Sequence, residues 1–469
     1  MQTHILLSSQ LQDDYLGKIV AIRGRIFHKE ISNDNKLFYL YIRDDNGLIT
    51  CIFESDFFPE LSKLPIETFI LVNGVLSDKK QPFITRYIVN ASTYELLSPP
   101  SDNIEPLRAV LSSIRFLYIR RLEIKTLLII KRFIRKYAIQ FLENHEFQPV
   151  ETPVITSFTQ INRQALRVTT NRKNEISERE KFLIQKSQFY LEAFAHAFGK
   201  VYTLTPAFRA DHRESELSLA EFWLLEVEEI FSTMNEKMDL LESLIQFICS
   251  KLIQNHKKEI KDLIIYRELS KLDSRTLVIH ELPLEFWNKI ELLEKNQLEF
   301  LNIILQNKKF PRVKYRDILQ DFKKNGEFFQ ISHLREKRGA VLTKKLNSPV
   351  FVTEFPFELR HFYDKKCLDD PTYTLTFDLI GHGSYGEIAS GSEREYRVEV
   401  IEEQMHEKKL RKDNNQTLQW YYKLQGFGSV PHAGFSIGLE RLTSWLTQTE
   451  NITDTVGFPR RLKGNDINY

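Results

Sequence analysis

Hydrophobic positions along the chain change their period more than once. Between Leu16 and about Leu97, apolar residues come in short runs that alternate with polar ones. Gly17–Ile26, Leu37–Arg43, Leu48–Phe53, Phe69–Leu76 and Tyr87–Leu97 each read as a strand, with a turn at Asp45-Asn-Gly47. Short strands parted by turn signals predict a small barrel. Pro99-Pro-Ser-Asp-Asn, with turn-formers and little apolar content, reads as a linker. From about Ser113 to Glu143 the spacing becomes helical, with many Arg and Lys residues. Thr205–Glu229 predicts two strands around a polar loop, Asp211–Ser218. Thr233 to about Ser348 is mostly helical in pattern, as in Met234–Lys258, Leu292–Gln306 and Tyr315–Lys324. After Pro349 strands resume, and a helix is expected over Glu395–Lys412. The expected division is residues 1–98 as the barrel, 99–112 as linker, and 113–469 as an α+β domain with a helical insertion at about 233–348.

Composition narrows the class. The 469 residues suffice for two or three domains. Hydrophobic content of 42% and charged content of 27% suit a globular protein. A formal net charge of +2 gives no overall basic field, so nucleic acid would have to be held by local patches. Cys51, Cys249 and Cys367 show no metal spacing and are expected to be buried thiols in a reducing cytoplasm. No run of about 18 apolar residues offers a membrane span, and the N-terminus does not read as a signal peptide.

The candidate chemistry begins at Phe208-Arg209-Ala210, at the end of a predicted strand, with Glu221-Phe222 opening the return strand. A guanidinium held on a strand offers a planar fork of donors to a phosphate, and a Phe beside it can stack on a flat base. A second arginine, Arg441, follows the glycine-spaced strand Gly434-Phe-Ser-Ile-Gly438. A third segment, Asp378–Glu395, carries Gly386-Glu387 and Ser390-Gly391. Arginine on a strand and phenylalanine in a core are commonplace taken singly.

Taken together, F-R-A…E-F and G-F-S-I-G-L-E-R resemble motifs 2 and 3 of class II aminoacyl-tRNA synthetases. The Gly-Glu-Ile segment resembles the Asp/Asn/Lys subgroup. His145–Pro153 with the helix before it resembles motif 1, and R-G-R-I…F-Y-L-Y-I-R-D resembles the N-terminal anticodon-binding OB domain. Trp420–Gly434, Leu219-Ala-Glu-Phe-Trp and Asp454–Arg460 are similar to asparaginyl enzymes.

The resemblance implies a five-stranded OB barrel followed by a class II catalytic domain, an antiparallel sheet flanked by helices. It also implies ATP-dependent adenylation of an amino acid. Arg209 would hold the α-phosphate, Phe222 and Arg441 would sandwich the adenine, and Glu387 with Ser390 would hold Mg2+. Gln188 and Glu192 would meet the amino acid, Glu192 at its side-chain amide. Tyr39 would stack on an anticodon base with Arg23 nearby, and the motif 1 helix would form a homodimer.

Four positions depart from the subgroup. Gly426 stands where an arginine usually grips the substrate side chain. Gln160-Ile-Asn162 replaces an acidic segment that meets the α-ammonium. Lys186-Ser-Gln188 replaces Ser-Gly-Gln, and Leu217-Ser218 replaces an Arg-His pair. Three readings stay open: an asparaginyl-type tRNA ligase, a paralogous acyl-adenylate-forming ligase for another carboxylate or acceptor, and a non-catalytic RNA-binding regulator.

Overall fold

The computed structural model describes residues 5–45, 47–78, 85–99, 114–158, 165–169, 180–210, 218–272, 278–324, 337–409 and 419–461. By internal packing the chain forms two units. The first holds residues 1–125 and 261–295, and the second 126–260 and 296–467. The middle of the expected insertion thus packs with the N-terminal strands.

In the first unit, five strands carry the alternation: β1 Ile19–Ile31, β2 Leu37–Arg43, β3 Leu48–Glu54, β4 Phe69–Asp78 and β5 Tyr87–Ser98. They follow one another in the order β1-β2-β3-β5-β4, and β4 also pairs with β1, so the sheet returns on itself in the OB arrangement. Every second side chain points inward. Val20, Ile22, Ile26, Phe38, Leu40, Ile42, Ile49, Cys51, Phe53, Ile70, Val72 and Val89 make the core.

The second unit is built on an eight-stranded sheet. Its central strands are β6 Lys200–Phe208, β7 Glu221–Ile230, β8 Val350–Thr353, β9 Thr376–Ile380, β10 Glu387–Glu393 and β11 His432–Gly438. The spatial order is Arg312–Lys314, β8, β9, β10, β11, β7, β6, Gln148–Pro149. All the pairings between β8 and β6 are antiparallel, and the two edge pairings are parallel. Helices α1 (Leu122–Asn144), α2 (Gln188–Phe198) and α3 (Leu439–Leu446) carry the flanking motifs. Sequence and structure agree on α+β and on most elements. The helix expected over Glu395–Lys412 is shorter, Val398–Glu407, because Glu395 turns its carboxylate onto the backbone N–H groups of Tyr396 and Arg397. The helical stretch after β7 starts on a capping box: Thr233 Oγ1 accepts from the Glu236 N–H, and Glu236 accepts from the Thr233 N–H at 2.8 Å.

One carboxylate ties the three motif segments together. Glu440 of α3, 1% exposed, accepts from Lys131 Nζ of α1 at 2.7 Å and from the Trp223 N–H of β7 at 2.9 Å. Among the described residues no helix is long and apolar enough to cross a membrane. The three cysteines are buried and free.

Candidate active site

Register decides which side chains share the site. Glu226 pairs with Ser436 and Glu228 with Gly434 between β7 and β11, and Ser390 pairs with Ser436 between β10 and β11. Ser390 also faces Asp378 of β9, and Ser392 faces Thr376. Directly opposed residues point to one face, so Phe222, Leu224, Glu226, Glu228, Gly434, Ser436, Ser390, Ser392, Thr376 and Asp378 form a single surface. Glu387 and Ser390 are three apart and would normally face opposite ways. A register shift between Leu379 and Ile380 leaves Ile388 unpaired, with Glu387 opposite Ile380 and Ala389 opposite Leu379. That bulge returns Glu387 to the side of Ser390.

The surface has two ends. At one lie the end of β6 with Arg209, the start of β7 with Phe222, the start of β10 with Glu387, and the end of β11 leading into Arg441. Arg209 Cζ is 5.6 Å from the centre of the Phe222 ring, and Arg441 Nη1 donates to the Glu387 carbonyl at 2.7 Å. Four of the five predicted nucleotide residues are gathered at this edge; the fifth, Ser390, lines a cavity further along the face. Their donors and acceptors suit ATP: guanidinium forks, an aromatic face, and two hard oxygens, a carboxylate and a hydroxyl, for Mg2+. Among the described residues no cluster of three His, Cys, Asp or Glu side chains could hold a metal alone, so the ion would need phosphate oxygens and water as further ligands.

That cavity lies four to six residues down β7 from Phe222, and so about 13–20 Å from it at strand rise. Lys186, Gln188, Glu226, Glu228, Arg394 and Tyr363 are among the residues that line it. Arg394 grips Glu228 with two donors, Nε to Oε1 at 3.2 Å and Nη2 to Oε2 at 3.0 Å. Burial opposes the charge on Arg394, but Glu228 more than restores it and holds the guanidinium above its ordinary range. Gly434 makes room for this pair. A Cβ there would lie 2.1 Å from Glu228 Oε2 and 2.2 Å from the Val227 carbonyl. Arg360 sits 2.8 Å from Asp378. Burial lowers His361 to about 4, so the ring is neutral.

Glu192 is expected from the sequence at a substrate amide, and the geometry differs. It is 0% exposed and does not line the cavity. Its carboxylate accepts from Gln188 Nε2 (2.9 Å), Tyr421 Oη (2.8 Å), Gln425 Nε2 (3.3 Å) and His432 Nε2 (3.1 Å). His432 Nδ1 meets the Val430 carbonyl at 2.7 Å, so both ring nitrogens face acceptors and the ring is an imidazolium. Three of these donors reach Oε2 and Gln188 alone reaches Oε1, and Gln188 is the one that also lines the cavity. At Gly426 a Cβ would meet nothing within 4 Å, and the cavity has its arginines elsewhere, in Arg394 and Arg360. Sequence reasoning missed both, although Arg394 lies in the segment already singled out, four residues after Ser390.

Lys186 lines the same cavity. Ser187, next to it, donates its N–H to Glu226 Oε2 at 2.7 Å. Burial lowers the Lys186 ammonium and raises the Glu226 carboxyl, each opposed by the other's charge. Arg209, Arg394 and Glu387 also act on it electrostatically, so the cavity is within electrostatic reach of the predicted nucleotide residues. Gln160-Ile-Asn162 and Leu217 lie outside the described residues.

In the first unit Tyr39 and Arg23 are not brought together. Arg23 is exposed and pairs with Leu71, whereas Tyr39 pairs with Glu30, seven residues further along β1. Tyr39 is only 7% exposed, and its ring lies against His280. An open stacking platform at Tyr39 is therefore not what the unit presents.

Residues 108–462 match the family model of tRNA synthetases class II (D, K and N). The chain belongs to this family. Residues 20–97 match the OB-fold nucleic acid binding domain. Asparagine--tRNA ligases of Symbiobacterium thermophilum and Desulforamulus reducens are 29% and 27% identical to it. The first alignment covers 96% of both chains, and the second covers 94% of this chain and 95% of its relative. The asparaginyl-tRNA synthetase of Pyrococcus horikoshii complexed with asparaginyl-adenylate superposes with a TM-score of 0.79 at 24% identity, covering 97% of this chain and 98% of that one. The Entamoeba histolytica asparaginyl-tRNA synthetase gives 0.80 at 21%, covering 99% of both. The family uses ATP, and the edge of this synthetase's sheet that holds Arg209, Phe222, Glu387 and Arg441 carries residues suited to it.

Proposed function

We propose that this synthetase adenylates asparagine with ATP and transfers the asparaginyl group to tRNA, as a Mg2+-dependent homodimer in the cytoplasm joined through α1. The observation that carries the reading is the single sheet face that aligns Arg209, Phe222, Glu387, Ser390 and Arg441 with the Gln188–Glu228–Arg394 cavity. Relatives named asparagine--tRNA ligase that align along nearly the whole chain support the substrate.

In the first step a carboxylate oxygen of the amino acid attacks the α-phosphorus. A new P–O bond forms, the bond to the bridging α–β oxygen breaks, and pyrophosphate leaves. Both reactants are anionic, so alignment and charge neutralisation do most of the work. Arg209 neutralises the α-phosphate, where charge gathers in the transition state. Phe222 and Arg441 hold the adenine between a ring and a guanidinium. Mg2+, held by Glu387 and Ser390, would supply charge neutralisation at the phosphates. No general base is required, because the carboxylate is already ionised near neutral pH. The Glu228–Arg394 pair offers an acceptor and a donor to a side-chain amide, and Gln188 is oriented by Glu192. In the second step a terminal hydroxyl of tRNA attacks the carbonyl carbon and AMP leaves.

Lys186 favours a second reading, a paralogous ligase for a carboxylate without a free α-ammonium. Its own ammonium acts electrostatically on Glu226, where a substrate ammonium would otherwise find an anion, and like charges repel. ATP–pyrophosphate exchange with the twenty amino acids and with succinamic acid, which is asparagine without its amino group, separates the two. Exchange with asparagine, followed by charging of one tRNA among transcripts with different anticodons, supports the first. Exchange with succinamic acid alone removes it.

A further inference from the structure

Alternation along β2 sends Phe38, Leu40 and Ile42 into the barrel core and Tyr39, Tyr41 and Arg43 to the outer face. On an OB barrel with an open face, aromatics at such positions stand in solvent, and bases stack on them. Here the outer face is sealed. Tyr39, Tyr41 and Arg43 are 7%, 0% and 8% exposed, and Leu48 and Thr50 on β3 are 5% and 0%.

Over Tyr39 the cover is the chain itself. A single turn, Ile279–Glu281, brings the His280 ring onto the Tyr39 ring, with centroids 4.3 Å apart and planes 10° from parallel. A flat nitrogen heterocycle parallel to a tyrosine is how a nucleobase would lie there. The turn is clamped by Glu30, which faces Tyr39 across the β1–β2 pair. Glu30 bonds His280 Nδ1 at 2.5 Å, accepts from the Ile279 N–H, and approaches His28 Nε2 at 3.1 Å. Ile279 is 2% exposed, which anchors the turn further.

We propose that His280 is a stand-in for a base. The chain caps its own stacking site, and single-stranded RNA reaches Tyr39 only by displacing the Ile279–Glu281 turn. The inference rests on the reading of the barrel as the RNA-binding domain. A cap of this kind lowers apparent affinity by the fraction of molecules in which it is open.

The test measures binding of a labelled seven-nucleotide pyrimidine-rich RNA and of a tRNA transcript to the full chain. The variants are His280→Ala, His280→Phe, Glu30→Gln, and Tyr39→Ala alone and combined with His280→Ala. Removing the cap should tighten binding by between about 5-fold and 100-fold, the range of one base stacked on one aromatic. Adding Tyr39→Ala should erase the gain, while Tyr39→Ala alone should change little. His280→Phe keeps an aromatic cap and should gain nothing, whereas Glu30→Gln loosens the clamp and should gain less than His280→Ala. Unchanged or weaker binding by His280→Ala overturns the proposal, as does equal weakening by Tyr39→Ala in both backgrounds. Thermal melts and ATP–pyrophosphate exchange on the same samples report folding and the catalytic unit. If exchange persists but no variant binds RNA, the RNA-binding reading of the barrel fails; if all bind RNA equally, only the cap does.

Discussion

The two ends of the catalytic face are built on different principles. The nucleotide end places half-buried groups at strand termini: Arg209 just past β6, Phe222 at the start of β7, Glu387 at a bulge, Arg441 in the first turn of α3. The proposed amino-acid end buries its charges in pairs, Arg394 with Glu228 and His432 with Glu192, each side chain under 10% exposed. Groups at termini can turn toward a large anion that arrives and leaves. Buried pairs cannot move cheaply, because separating them strands a charge in a poor dielectric. Such pairs fix the shape of a small pocket. Variants at the first end should therefore lose activity while keeping the fold, and variants at the second should lose stability together with activity.

The largest expected effect is at the rigid end. Glu192→Ala leaves Gln188, Tyr421, Gln425 and His432 without their shared acceptor. Breaking a buried pair in this way costs about 3–5 kcal/mol, to be read as a lower urea midpoint. A change below about 1 kcal/mol would mean that the network is slack and the contrast is wrong. Arg209→Ala is the counterpart at the open end. It should lower ATP–pyrophosphate exchange by about 10²–10³-fold, the usual loss for one preorganised donor, with an unchanged melting temperature. Normal exchange by that variant would show that the nucleotide lies elsewhere.

The open end is legible in the sequence because each of its residues lies in a contiguous segment with its own local signature. The buried end is not. Arg394 is four residues from Ser390, but its partner Glu228 comes from another strand, 166 positions away. Only the register of β7 on β11 and β10 brings them together. Glu192 is expected at the substrate amide from its resemblance to asparaginyl enzymes, and that resemblance does not report the four groups that donate to it. The barrel shows the same limit. Alternation identifies the strands and the resemblance points to Tyr39, while the cap comes from a residue 250 positions beyond Glu30. Pattern reports which face a residue occupies and says nothing of what later covers it.

A smaller effect sharpens the contrast within the buried end itself. Gly434→Ala adds one methyl where Glu228 Oε2 and the Val227 carbonyl already lie within 2.2 Å of the new atom. Overpacking costs about 1–3 kcal/mol, and here it must also push Glu228 off Arg394. The variant should melt lower, and its KM for the amino acid should rise more than its KM for ATP. Equal changes in both KM values would mean that the two ends are not separable.

The smallest effect is a dependence on pH, and it distinguishes a true ion pair from a neutral hydrogen bond at Glu192. Burial alone would raise the Glu192 carboxyl and lower the His432 imidazole. The hydrogen bond and charge of each partner outweigh burial, so Glu192 lies below its ordinary 4.5 and His432 above its ordinary 6.5. In the unfolded chain both return to ordinary values. The depressed carboxyl contributes stability above pH 4.5 that is lost as pH falls through its folded value. The raised imidazole contributes stability below pH 6.5 that is lost as pH rises through its folded value. The two together give a plateau between 4.5 and 6.5 with a decline on each side. A tenfold change in proton affinity between the folded and unfolded chain is worth about 1.4 kcal/mol. The decline is therefore measurable as the difference in urea midpoint between the parent chain and Glu192→Gln. That difference should be greatest on the plateau and shrink toward both acid and alkali. A difference that stays constant from about pH 3 to about pH 9 would make the pair neutral. The pocket would then owe its shape to packing around Tyr421 and Gln425, and the two ends of the face would differ less than their burial suggests.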